Sequence, residues 1–164
     1  MGRRLAALAA LPLLAFAGLA HGETPSADPI GDALITALTG SLPGTPDFRL
    51  KASLYHAGAK GVGALDSLGC RVVAMRTAAI DVSKIPRRTL LFIRETVGLP
   101  MPDGTTHDGY WYASDTGGAI KGNRIDLFTG NGSASMKSMQ PLNLASLTVT
   151  KVGTFKGCPQ SLSR

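Results

Sequence analysis

Two aspartates, Asp115 and Asp126, bracket a turn that holds Gly117, Gly118, Lys121 and Gly122. Three glycines in six residues permit positive φ and close backbone approach, which a side chain would block. The turn is entered from a strand-like run, 109–114, and left through another, Arg124-Ile-Asp-Leu-Phe128. Aspartate is depleted in strands and costly to bury without a partner. Alternation puts Asp126 on the face of Arg124 and Phe128, opposite Ile125 and Leu127. A carboxylate there is either a paired structural ion or a site. Tyr110, Trp111 and Tyr112 lie just upstream and suit stacking on a ring-shaped ligand, although buried core is the commoner fate of such residues.

Position by position, Asp115 to Asp126 resembles the signature of the three-aspartate (3D) domain, the module that also forms the catalytic core of membrane-bound lytic transglycosylase A. The family pattern is approximately Asp-x-Gly-Gly-Ala-Ile-Lys-Gly-x-x-x-Asp, and the chain matches it at eight positions. The family's first aspartate lies in a segment like Ala-x-Asp-Pro-x-x-Ile-Pro-x-Gly-Thr. Residues 79–89 match this with Asp81 in place, Val82 where proline is usual and Arg88 where glycine is usual. The resemblance implies a six-stranded double-psi β-barrel over most of the chain. It implies Asp126 as catalytic acid/base, Asp115 as the group that orients it or stabilises positive charge, and Asp81 as support. Lys121, Gly117, Gly118 and Tyr112 become candidate substrate contacts, with the glycines acting through backbone geometry and Lys121 either touching substrate or pairing with an aspartate.

Converging carboxylates repel one another, and burial disfavours their ionised forms, so at least one pKa rises and keeps a proton available near neutral pH. Cleavage of a glycosidic bond needs such an acid. The function implied is a peptidoglycan lytic transglycosylase, which makes 1,6-anhydro-N-acetylmuramic acid ends, with glycan strands as partner and no cofactor. The alternative is a non-catalytic wall-binding module on the same barrel. The large second domain that walls the groove in membrane-bound lytic transglycosylase A is not expected here, and a homodimer could supply that wall. In size the chain is nearer to small stand-alone members such as the stationary-phase survival group, which are muralytic.

The elements expected to position these residues are mostly short strands. Phe48 to Tyr55 alternates as a half-buried strand, with Phe48, Leu50, Ala52 and Leu54 on one face. A glycine-rich loop covers 57–63, and 70–75 reads as a second strand. Residues 79–86 lead into an apolar, β-forming run at 89–94. A polar loop spans 100–109, a short helix is expected at 133–139, and a closing strand at 144–152. Many short strands with little helix indicate an all-β barrel or sandwich. Domain limits follow as 1–22, 23–47 and 48–164, the last being the barrel.

Residues 1–22 read as a cleaved signal peptide, with Arg3 and Arg4, an apolar run and Ala20-His21-Gly22. The run is short for a membrane span, and no cysteine follows it for lipid attachment. The expected location is the periplasm or the exterior, without stable membrane insertion. Within 23–47, Asp28-Pro29 and Gly40 frame a short amphipathic helix, and 41–46 is a turn or linker. Without Arg3 and Arg4 the chain keeps 15 basic and 11 acidic residues, a mild excess that favours anionic envelope polymers. No basic cluster with interleaved aromatics marks a nucleic-acid groove. Cys70 and Cys158 suit an oxidising compartment and either form one disulfide or stay as buried thiols. Lys121-Gly122 lacks the ending of a P-loop. His56 and His107 are isolated, which argues against zinc and reads as surface or loop histidine. No Ser-His-Asp or Cys-His nucleophile can be assembled.

Overall fold

The computed structural model describes residue 36 and residues 44–159. The signal peptide and almost all of the expected N-terminal helix lie outside them. Six strands follow in order: β1 (Phe48–Ala57), β2 (Thr77–Ile80), β3 (Thr89–Ile93), β4 (Tyr110–Asp115), β5 (Arg124–Asn131) and β6 (Ser146–Thr154). They close into a barrel in the order β1-β5-β2-β4-β3-β6, the six-stranded architecture the resemblance implies. β1 and β5 run parallel, as do β2 and β4, and the other neighbours are antiparallel. Closure removes free sheet edges, and alternate side chains fill the interior.

That interior is Leu50 and Ala52 from β1, Ala78 and Ile80 from β2, Trp111 and Ala113 from β4, and Ile125 and Leu127 from β5, with residues of β3 and β6. The alternation read in β1 and β5 holds. The indole of Trp111 is wholly buried and donates to Thr96 Oγ1 at 3.0 Å, so it belongs to the core and stacks on no ligand.

Three expectations change. Residues 70–75 form no strand. Arg71 makes a single bridge to Leu65, and Met75 takes φ 53, which breaks an extended run. The strand begins only at Thr77, after a turn closed by the Thr77 Oγ1 bond to Val73 N at 2.9 Å. The helix at 133–139 is a 3-10 helix running Ser133–Leu142, a second lies at Arg94–Thr96, and the final strand starts at Ser146. His107 lies in a loop, as expected, and is fully buried there. Its ring accepts from Gly109 N at 2.8 Å and meets Met75 O at 2.7 Å, as a neutral imidazole with the proton on Nε2. Burial first, and the Arg76 charge second, lower its pKa to about 4. Arg76 is itself buried, paired with Asp108 and bonded to Tyr110 O at 2.8 Å. Cys70 and Cys158 form a disulfide with Cα atoms 5.4 Å apart, tying the loop after β1 to the segment after β6. No helix among the described residues is long and apolar enough to cross a membrane.

Candidate functional site

Ser53, Asp126, Ala79 and Asp115 form one row across four neighbouring strands. In register, Ser53 on β1 faces Asp126 on β5, Asp126 faces Ala79 on β2, and Ala79 faces Asp115 on β4. Partners in register share a face, and this face is the outside of the barrel wall, since Ala78, Ile125 and Leu127 point inward. With strands about 4.8 Å apart, Asp126 and Asp115 sit about 10 Å apart along the backbone row. Strict alternation from Trp111 and Ala113 would have sent Asp115 into the core. A shift of register between Ala78 and Ala79 leaves Ser114 as an extra residue on β4 and turns Asp115 outward.

The two carboxylates are held differently. Asp115 Oδ2 accepts from the Tyr55 hydroxyl at 2.9 Å, and Oδ1 accepts from Thr116 N at 2.8 Å and Ser67 N at 3.1 Å. Burial, then the Asp115 charge, raises the Tyr55 phenol and keeps it a donor. Asp126 is half-buried, and its Oδ1 is shut from solvent with no hydrogen-bond partner. Burial is the main cause that raises its pKa. The Asp115 charge adds to it, against the opposing pull of the Ser53 hydroxyl and Arg124. Such a group keeps its proton to higher pH than an ordinary aspartate.

Asp81 lies one step beyond the row and braces the glycine turn. Its Oδ2 accepts from Gly122 N at 2.7 Å, while Oδ1 accepts from Ser83 N at 3.0 Å and Ser83 Oγ at 2.9 Å. These donors, with the Gly122 N–H foremost, hold its pKa down at about 2. Gly122 has φ +63, the left-handed backbone that aims this N–H at the carboxylate. Gly117 would meet Ile120 Cγ1 at 2.9 Å if it carried a Cβ, so it lets Ile120 pack inward. A Cβ on Gly118 would meet nothing within 4 Å, which leaves that backbone open to close approach from outside. Lys121 is exposed, and its charge helps to hold Asp81 ionised. Tyr112 is 7% exposed and covered edge-on by Phe155, with ring centroids 4.8 Å apart.

Arg88, where the family has glycine, keeps the glycine's backbone at φ 69. Its guanidinium donates to Gly157 O at 2.7 Å and its carbonyl accepts from Phe155 N at 3.0 Å, so it clips down the segment that covers Tyr112. Val82, in the proline position, is exposed.

Three contributors were not singled out in the sequence. Tyr55 and Ser53 sit on the polar face of β1, and parallel pairing with β5, which no hairpin announces, brings them to the aspartates. Asp66 is buried beneath the loop that holds Asp115. Its Oδ1 accepts from Leu68 N at 3.0 Å and Cys70 N at 2.9 Å, fixing the turn from which Ser67 N reaches Asp115. An aspartate three residues before a glycine is a turn signal that could have marked it. Among the described residues no three His, Cys, Asp or Glu side chains gather as a metal-binding group.

The 3D domain family profile matches residues 76–139. No curated protein matches the sequence. Among solved structures, the chain is similar to Escherichia coli MltA with bound chitohexaose, at 24% identity over 58% of this chain and 29% of that one, with a TM-score of 0.42. It is similar to MltA from Neisseria gonorrhoeae at 25% identity over 58% and 23%, TM-score 0.43. The lytic transglycosylase LtgG of Burkholderia pseudomallei shares 25% identity over 57% and 28%, TM-score 0.37. The chain spans less than a third of each of these proteins. The matched stretch, 76–139, carries Asp81, Asp115 and Asp126 and the glycine turn.

Proposed function

We propose that this chain is an exported peptidoglycan lytic transglycosylase that cuts the β-1,4 bond between N-acetylmuramic acid and N-acetylglucosamine. One observation carries the proposal: Asp126 is a half-buried carboxyl with a raised pKa and an unpartnered oxygen, beside a second carboxylate whose oxygens are all held. An acid for this reaction must be protonated, oriented and free to meet a leaving oxygen. Asp126 keeps its proton to higher pH than an ordinary aspartate, whereas the oxygens of Asp115 and Asp81 are taken up by donors.

Asp126 gives its proton to the glycosidic oxygen as the C1–O bond of the muramoyl ring breaks. The positive charge that develops at C1 is met by the negative end of Asp115, which Tyr55, Ser67 and Thr116 hold in place. The Asp126 carboxylate then takes the proton of the ring's own C6 hydroxyl while O6 bonds to C1, which closes the 1,6-anhydro ring and restores the acid. Because the nucleophile is part of the substrate, its effective concentration is high and water need not be admitted. Asp81 acts through Gly122, fixing the turn whose open face at Gly118 lets a strand approach the backbone. Export is supported by the disulfide and by the composition of residues 1–22. The proposed barrel limits remain 48–164.

Mass spectrometry of fragments released from purified peptidoglycan tests the proposal. Muropeptides ending in 1,6-anhydro-N-acetylmuramic acid are expected. Reducing ends would mean hydrolysis instead, and no release at any pH between about 4 and 8 would leave a wall-binding module.

A further inference from the structure

We propose that a cavity beside the aspartate row is the seat of the acidic peptide stem carried by the muramoyl ring, so that the chain prefers stem-bearing strands. This inference rests on the lytic reading above. The cavity has a volume of about 960 Å³ and opens at the end of β5, where Phe128 belongs to its wall. Phe128 is on the face of Asp126 and two residues further along, a rise of about 7 Å. Its ring lies 5.2 Å from that of Tyr55, whose hydroxyl is on Asp115, so the row of carboxylates ends where the cavity begins.

Val72, Met101 and Pro102 give the cavity a largely apolar lining, and Arg71 and Lys137 bring two cations to it. Both cations are exposed, and among the described residues neither side chain has an ion pair or hydrogen bond. An occupant therefore needs small apolar groups with free carboxylates at their edge. A strand without stems has hydroxyls, acetamides and a lactyl carboxylate held at the ring, and carries no apolar arm with free carboxylates into the cavity. The stem is such an arm: it is a short peptide with methyl side chains and unblocked carboxyl groups. It leaves the lactyl ether of the same ring whose C1 is to stand at Asp126, so its origin is fixed beside the cavity mouth. Methionine and proline walls suit such an occupant, since they pack on methyl groups without demanding hydrogen bonds.

The test measures binding by the full mature chain carrying Asp126→Asn, so that strands are not consumed. Labelled glycan strands with intact stems are compared with the same strands stripped by an N-acetylmuramoyl-L-alanine amidase. Exposed charge pairs are each worth up to about fivefold in affinity, so the stem-bearing strand is expected to bind about tenfold more tightly. Arg71→Ala with Lys137→Ala should bring the two dissociation constants to within about twofold. Met101→Glu, which sets a negative charge in the cavity wall, should do the same, with thermal unfolding confirming that each variant is folded. Equal affinity for both strands in the parent overturns the proposal while leaving the lytic reading intact. So does a preference that survives both sets of substitutions, since the stem would then lie elsewhere. Binding of neither strand removes the glycan reading and this proposal together.

Discussion

Opening the Cys70–Cys158 bridge should cost the barrel several kcal/mol and loosen the grip on Asp115. The bridge spans a sequence separation of 88 residues. Loop-closure entropy for a crosslink of that length gives about 4.6 kcal/mol at 25 °C, against a usual range of about 2–4 for real disulfides. Native stabilities are only about 5–15 kcal/mol, so the loss is a large share of the total. The buried half of the bridge also belongs to the site's foundation. Cys70 N donates to Asp66 Oδ1, Asp66 N donates to Cys70 O at 2.8 Å, and the next residue's N–H is on Asp115. The assay is urea unfolding of the oxidised protein, of the protein held in dithiothreitol, and of Cys70→Ala/Cys158→Ala. The reduced protein keeps both sulfurs and so separates the crosslink from lost packing. Both perturbed forms are expected to lose about 3–4 kcal/mol, which for a domain of this size lowers Tm by more than about 10 °C. A loss below about 1 kcal/mol in both would refute the claim that the crosslink restrains the unfolded chain.

Tyr55→Phe keeps the ring against Phe128 and deletes the donor on Asp115 Oδ2. A hydrogen bond of that kind is worth about 1–2 kcal/mol, so stability should fall by that amount and kcat by about tenfold. An unchanged kcat would remove Tyr55 from the positioning of Asp115. The pH profile of kcat/KM should have an alkaline limb set by Asp126, because activity needs its protonated form and that form is lost as pH rises through the raised pKa. Arg124 pulls that pKa down and Asp115 pushes it up, so Arg124→Gln should move the limb to higher pH and Asp115→Asn to lower pH. Shifts in the opposite senses, read from profiles of both variants, would dissociate the limb from Asp126.

What could be read in advance follows from where the information lies along the chain. Asp115, the glycine turn and Asp126 are contiguous, so their relation shows in a single stretch, and the alternation of β5 already set Asp126 apart from the core. Asp81 needed a second motif, and its backbone donors came into view only once the turn was folded over it. The orientation of Asp115 could not be read, because one extra residue at Ser114 reverses the face and any residue can occupy a bulge. The approach of Tyr55 depends on a parallel pairing between strands some seventy residues apart, and no turn between them fixes its register. Residues 70–75 carry strand-forming side chains, yet Met75 adopts a positive φ and its N–H goes to Phe128 O on β5, the strand beside β2. Tertiary contacts outweigh local preference there. His107 gave no sign of burial because its hydrogen bonds go to two backbone groups rather than to side chains.

Asp126→Asn is the most direct test of the catalytic assignment, because the substitution should separate activity from stability in sign. The side chain keeps nearly its volume but can no longer donate an acid proton. General acid/base catalysis supplies about 10²–10⁴-fold, so turnover of peptidoglycan should fall by at least that much. Stability should move the other way. A carboxyl with a raised folded-state pKa favours the fold below its unfolded pKa, and that contribution is lost as pH rises through the folded value. At neutral pH the buried charge therefore weighs against the fold, and a neutral asparagine relieves it. The measurement is release of anhydro-muropeptides by parent and variant at equal folded concentration, beside their melting temperatures at pH 7. The account predicts a folded variant with an equal or higher melting temperature and no detectable release, and a folded variant with full activity would contradict it.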